Sequence, residues 1–172
     1  PQESKKTTAP ANQGALDEAL RNGEWTMADI IANDLVKQDP KSPIGAFVVD
    51  VSRNVLLHGR GLALSPYDFP YVDDSAKAKL RSWVQGLLSA NQSNENILIL
   101  DMVLRLKGFA DNDGAIRDLE TALKLAPNNT FILSALGGLY GAKGRINEAE
   151  GLLEKALTLD PKFSTAYMNL GM

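Results

Sequence analysis

An offset of 34 residues constrains this chain more than any other feature. Sliding the C-terminal half against itself by 34 superposes Ile99 on Leu133, Met102 on Leu136, Leu106 on Tyr140, Ala115 on Ala149, Leu119 on Leu153, Ala122 on Ala156 and Pro127 on Pro161. The same step carries Leu133 to Tyr167, Leu136 to Leu170 and Gly137 to Gly171, so the start of a further unit is expected there. A fixed period of this length marks a repeat architecture, whose unit is one supersecondary element that buries its apolar face only against its neighbours.

Within one unit the residues divide the work of a helical hairpin. Gly137 and Ala149 are small, so two antiparallel helices can approach closely, while Leu136, Tyr140 and Leu153 fill the space around that contact. Gly144 falls where the chain must turn between the helices. Asp160-Pro161 ends the second helix, because proline has no amide hydrogen and restrains the residue before it.

On these residues the segment 130–163 resembles the tetratricopeptide repeat family: Leu133 at the first large position, Leu136-Gly137, then Tyr140, Ala149, Leu153, Ala156 and Pro161. The pattern continues toward the N-terminus. Ala28, Ala32, Leu35 and Pro40 match Ala115, Leu119, Ala122 and Pro127 at an offset of 87, two periods plus 19, so an insertion of about one loop separates them. A short leading helix from about residue 14 to 22 and a second over Trp25–Gln38 follow, turning at Gly23 but without the Leu-Gly pair. The resemblance implies an all-α, right-handed superhelical solenoid with units at about 14–42, 43–95, 96–129 and 130–163, and a partial unit at 164–172. The second unit carries an inserted loop at 59–73, and residues 1–13, polar and without helical periodicity, are expected to form a flexible tether. Because the chain begins with Pro1, it reads as a processed or excised piece, and an exported or membrane-tethered setting is slightly favoured over the cytoplasm.

In such solenoids the leading helices line a concave surface that holds a peptide or a partner's helix. Carried over position by position, the resemblance places Ile97, Leu100, Asp101 and Leu104 there, then Phe131, Ser134, Ala135 and Gly138, then Thr165, Met168, Asn169 and Met172. The family's carboxylate clamp of lysine, arginine and asparagine is not matched, since these positions are mostly Leu, Phe, Ser and Met. An apolar groove suits an amphipathic helix or extended apolar segment. Equally, the groove is filled by the chain itself and its leucines are core, and periodicity does not separate the two.

The inserted loop GRGLALSPYDFPYVD concentrates Tyr67, Phe69 and Tyr71 in a chain with only 6% aromatics. These rings are either anchors for a partner, giving large contact area at small entropy cost, or, on the preferred reading, packing for the irregular repeat.

Composition removes most chemistry. With no cysteine and one histidine, His58, the chain has no disulfide, zinc-thiolate site, thiol nucleophile or two-histidine metal motif. A net charge of −3 gives no bulk basic surface for nucleic acid, and no apolar run reaches the roughly 18 to 20 residues of a membrane span. Asp111, Asp113, Gly114 and Glu120 have the spacing of a calcium loop, but Phe109 stands at its first ligand position and the segment falls on an inter-helix turn. No serine, acid or lysine is arranged with the histidine as nucleophile and base, so the expectation is no catalytic residue, no cofactor, no metal and no small-molecule substrate. What remains is a non-catalytic scaffold with a protein or peptide partner, in the assembly of, for example, a bacterial envelope, pilus or secretion complex. Two alternatives stand beside it: a recruiting arm of a larger enzyme, and a self-assembling scaffold joined through its end repeats.

Overall fold

The computed structural model describes residues 12–56, 73–90 and 94–171, leaving aside the side chains of Ser164 and Met168. Among the described residues every regular element is a helix: α1 Gln13–Arg21, α2 Trp25–Gln38, α3 Pro43–Leu56, α4 Asp74–Ala90, α5 Glu95–Phe109, α6 Asn112–Leu125, α7 Thr130–Ala142, α8 Ile146–Leu159 and α9 Ser164–Leu170. Residues 1–11 of the expected tether 1–13, residues 59–72 of the expected insertion 59–73 with Tyr67, Phe69 and Tyr71, His58 and Met172 lie outside the described residues, and Gln13 belongs to α1.

Short polar side chains start most of these helices by accepting the first free backbone N–H groups. Asn12 Oδ1 accepts from Ala15 N at 2.8 Å, Asp73 Oδ1 from Ala76 N at 2.8 Å, Asp111 Oδ1 from Gly114 N at 2.9 Å and Asn129 Oδ1 from Ile132 N at 3.2 Å. Asn94 does the same for α5 and also donates its Nδ2 to the carbonyl of Arg21 at 2.7 Å, so one side chain starts α5 and ties it to the end of α1.

The hairpins are built as the small residues dictate. A Cβ on Gly137 would meet Leu153 Cγ at 2.8 Å and the Ala149 carbonyl at 3.3 Å, so α7 and α8 lie closer than any larger residue permits. Gly45 does the same on α3, where a Cβ would fall 2.9 Å from Val36 and 3.2 Å from the Ala32 carbonyl. As a result α3 packs along the length of α2 and meets α4 over a short stretch only, while α4 lies against α5. The core runs continuously from Leu16 in α1 to Ala149 in α8, and a second cluster of Leu133, Leu153, Ala156, Phe163 and Ala166 seats α9.

The repeat register also governs the turns. Gly23 (φ +71°) and Gly144 (φ +77°) take the left-handed conformation that glycine tolerates, and the residue one period before Gly144 is Ala110, which takes it too, at φ +53°. Alanine there carries a steric penalty of about 1 kcal/mol that glycine lacks. Ala110→Gly is therefore expected to stabilise the chain by about 0.5 to 1 kcal/mol, read as a rise in Tm in thermal denaturation; a lower Tm would refute strain at this turn.

Candidate functional site

The structure brings the sequence-predicted surface positions of α5 into the interior. Ile97 and Leu100 are 0% exposed, Leu104 1% and Asp101 4%. α5 is buried on all its faces, because its sequence is apolar all round rather than along one stripe. Helices α1, α4 and α6 pack around it, and polar contacts fasten the arrangement. Trp25 Nε1 donates to Asn96 Oδ1 at 3.2 Å, and Lys107 Nζ, its side chain only 4% exposed, pairs with Asp50 Oδ2 of α3 at 2.7 Å. Trp83 Nε1 of α4 donates to Asp17 Oδ1 of α1 at 2.8 Å, where burial pushes the Asp17 carboxyl up.

In the next unit Phe131 and Ser134 are also buried, while Gly138 is half-buried and Asn169 exposed. Asn169 Nδ2 donates to the Ser134 carbonyl at 3.2 Å, which holds α9 over α7, and a Cβ on Gly138 would sit 3.0 Å from that amide. Of the described positions that the sequence assigns to the inner surface, Gly138 and Asn169 keep solvent exposure. A cleft of about 700 Å³ lies elsewhere, between α2, α3 and the start of α4, lined by Val36, Pro43, Ala46, Phe47, Arg53 and Asp73 among others.

The densest polar constellation is one that motif reading did not single out as a unit. Arg105 on α5 meets Asp101 Oδ2 at 2.9 Å, Asp111 Oδ2 at 2.8 Å and Asp118 Oδ2 at 2.7 Å. Its sequence signals are the i, i+4 pair Asp101/Arg105 and the capping Asp111; Asp118 joins only because α6 folds back along α5. Burial works against the Arg105 charge, but the carboxylates outweigh it and hold the guanidinium above its ordinary range. Asp111 is held below the usual carboxylate range by the Gly114 N–H first and by Arg105 next. Of the calcium-loop positions, Asp111 is thus engaged as helix cap and arginine partner, while Asp113 pairs with Lys143 and Glu120 accepts from Tyr140.

A second cluster joins two units at the surface. Tyr140 donates to Glu120 Oε1 at 2.7 Å, and the Arg145 guanidinium stacks 3.6 Å above the Tyr140 ring while pairing with Glu148. Burial first, and then the Glu120 partner, raises the Tyr140 hydroxyl, which therefore stays a neutral donor. Among the described residues no group of His, Cys, Asp and Glu is placed to hold a metal ion, and no helix is long and apolar enough to cross a membrane.

With this geometry in place, comparison with known proteins gives a consistent picture. Residues 109–171 match the tetratricopeptide repeat family model. Over 63 residues the chain is 36% identical to the BBSome complex member bbs-4 of Caenorhabditis elegans, a match that takes in 37% of this chain and 14% of that protein's length. The crystal structure of MamA protein overlays with a TM-score of 0.50 at 17% identity, covering 92% of this chain and 76% of that one, a likeness of fold.

Proposed function

Because residues 109–171 belong to the tetratricopeptide repeat family, we propose that the chain works as a non-catalytic scaffold that holds a protein partner, with Tyr67, Phe69 and Tyr71 of the inserted loop as its anchors. The fold is that of protein-interaction scaffolds, and the similar protein bbs-4 is itself a complex member. The observation that carries the choice of surface is the burial of Ile97, Leu100 and Leu104 in the core. Side chains committed to helix packing are not free for a partner, so recognition moves to the aromatic loop and to the Gly138/Asn169 edge of the inner surface. Amphipathic rings supply contact area at small entropic cost, and a few such anchors typically dominate an interface.

The test is a triple variant, Tyr67→Ala/Phe69→Ala/Tyr71→Ala, beside Gly138→Arg, each compared with the parent chain for Tm and for binding to a partner captured by the parent. The triple variant is expected to keep its Tm and lose tenfold or more in affinity, on the order of 1.4 kcal/mol. Full affinity in both variants would sink the reading. Self-association is a second reading, favoured by the exposure of Leu159 and Tyr167 on α8 and α9; a molar mass by light scattering that stays monomeric across concentration would remove it.

A further inference from the structure

Three carboxylates converge on the single guanidinium of Arg105 in the middle of the array, so the cluster is short of positive charge by two when all are ionised. Asp101 and Asp118 meet the same edge of that guanidinium: Arg105 Nε lies 2.7 Å from Asp118 Oδ2 and 3.0 Å from Asp101 Oδ2, and Nη2 reaches the same Asp101 oxygen at 2.9 Å. The two oxygens are thus crowded against each other, and neither is well hydrated: the Asp101 side chain is 6% exposed and that of Asp118 13%. Like charges held this close in a poorly solvated site cannot both persist cheaply, and a proton bridging them removes one charge and adds a hydrogen bond.

Two further cations stand near the cluster, Arg81 and Arg117, and among the described residues neither forms an ion pair with Asp101 or Asp118. From α4 the same small concavity receives neutral Gln85 and Arg81, whose guanidinium sits 3.7 Å over the Phe109 ring. From α6, Arg117 acts on Asp111, and Asp111 spends one oxygen on the Gly114 N–H and the other on Arg105. From α5 itself the only cation in the cluster is Arg105, among the described residues.

We propose that Asp118 holds a proton against Asp101 on the acid side of neutrality and that losing it loosens the packing of α4, α5 and α6, making this junction a pH-responsive joint of the solenoid. The location gives the joint reach. α5 is the helix to which α1, α3 and α4 are fastened on one side and the α6 to α9 repeats on the other. The electrostatics agree: burial first, then the Asp101 charge, push the Asp118 carboxyl up to about 7 against the opposing pull of Arg105. A carboxyl raised in the folded state stabilises it fully below the unfolded value near 4, and that contribution is lost as pH rises through about 7.

The experiment follows Tm from pH 5 to 8.5 for the parent chain, for Asp118→Asn, whose neutral amide stands in for the protonated acid, and for the control Asp113→Asn at the exposed Lys143 pair. The parent and the control are expected to lose about 5 °C or more across this range relative to Asp118→Asn. Parallel profiles for all would overturn the proposal. Should Asp118→Asn not fold, carbon-13 NMR titration of the Asp118 side-chain carboxyl in the parent chain decides: a midpoint between about pH 6 and 8 supports the retained proton. An Asp118 midpoint below about pH 6 would overturn it.

Discussion

Replacing Leu100 and Leu104 together by aspartate is expected to abolish the folded state of this chain at room temperature. Both side chains are essentially without solvent contact, at 0% and 1% exposure, between α4, α1 and α6. Removing a buried leucine costs about 2 to 5 kcal/mol in lost transfer and cavity energy. Each aspartate must in addition shed its hydration or its charge in an apolar site, at a further several kcal/mol. The sum, on the order of 10 kcal/mol, is as large as the whole stability of an ordinary domain. Far-ultraviolet circular dichroism on heating reads the outcome, with Leu100→Ala expected to lose about 3 kcal/mol as the milder companion. A double variant that melts with the parent would mean that these leucines face solvent in solution and that the inner surface of α5 is an open groove after all.

That the leucines are core was partly legible before any coordinates. An amphipathic helix that lines a groove shows one apolar stripe and one polar face, whereas α5 runs Ile97, Leu98, Ile99 and Leu100 without a break and resumes with Met102, Val103 and Leu104. A helix apolar all round is a buried helix, and that criterion separates the two readings which the 34-residue period leaves even. The period was a better guide to the turns. It places Ala110 and Gly144 in one register, and Gly23 too once the 19-residue insertion is counted, and all three take positive φ although one of them is alanine.

Other features depend on which helices become neighbours. Lys107 and Asp50 are 57 residues apart, Trp25 and Asn96 71, and Asn94 and Arg21 73, and no local pattern announces such pairs. They follow from α1 lying against α5 and from α3 lying along α2 within reach of α5, and the sequence signal of the second is the small Gly45 facing Ala32 and Val36. The aromatic loop stands out by composition alone, and its residues 67, 69 and 71 lie outside the described structure, so their role rests on binding experiments.

Arg105→Ala is expected to be the most damaging single polar substitution in the molecule, and its damage should grow with pH. The guanidinium is the common partner of Asp101, Asp111 and Asp118, two of them in surroundings that hydrate a carboxylate poorly. Deleting one side of a buried ion network typically costs about 3 to 5 kcal/mol, because the charges left behind are uncompensated. At pH 8 those charges must either stay ionised against one another or take up protons from a dilute source. At pH 5 protonation of Asp118, already raised by burial and by Asp101, removes much of the repulsion. Urea denaturation at the two pH values should therefore show the larger loss at pH 8. Arg105→Lys should fall between the parent and the alanine variant, since an ammonium keeps the charge but cannot present the planar fork that reaches all the carboxylates at once. An equal loss for Arg105→Ala at both pH values would show that Arg105 contributes through the packing of its methylenes alone, and the electrostatic account of the α5/α6 hairpin would fail.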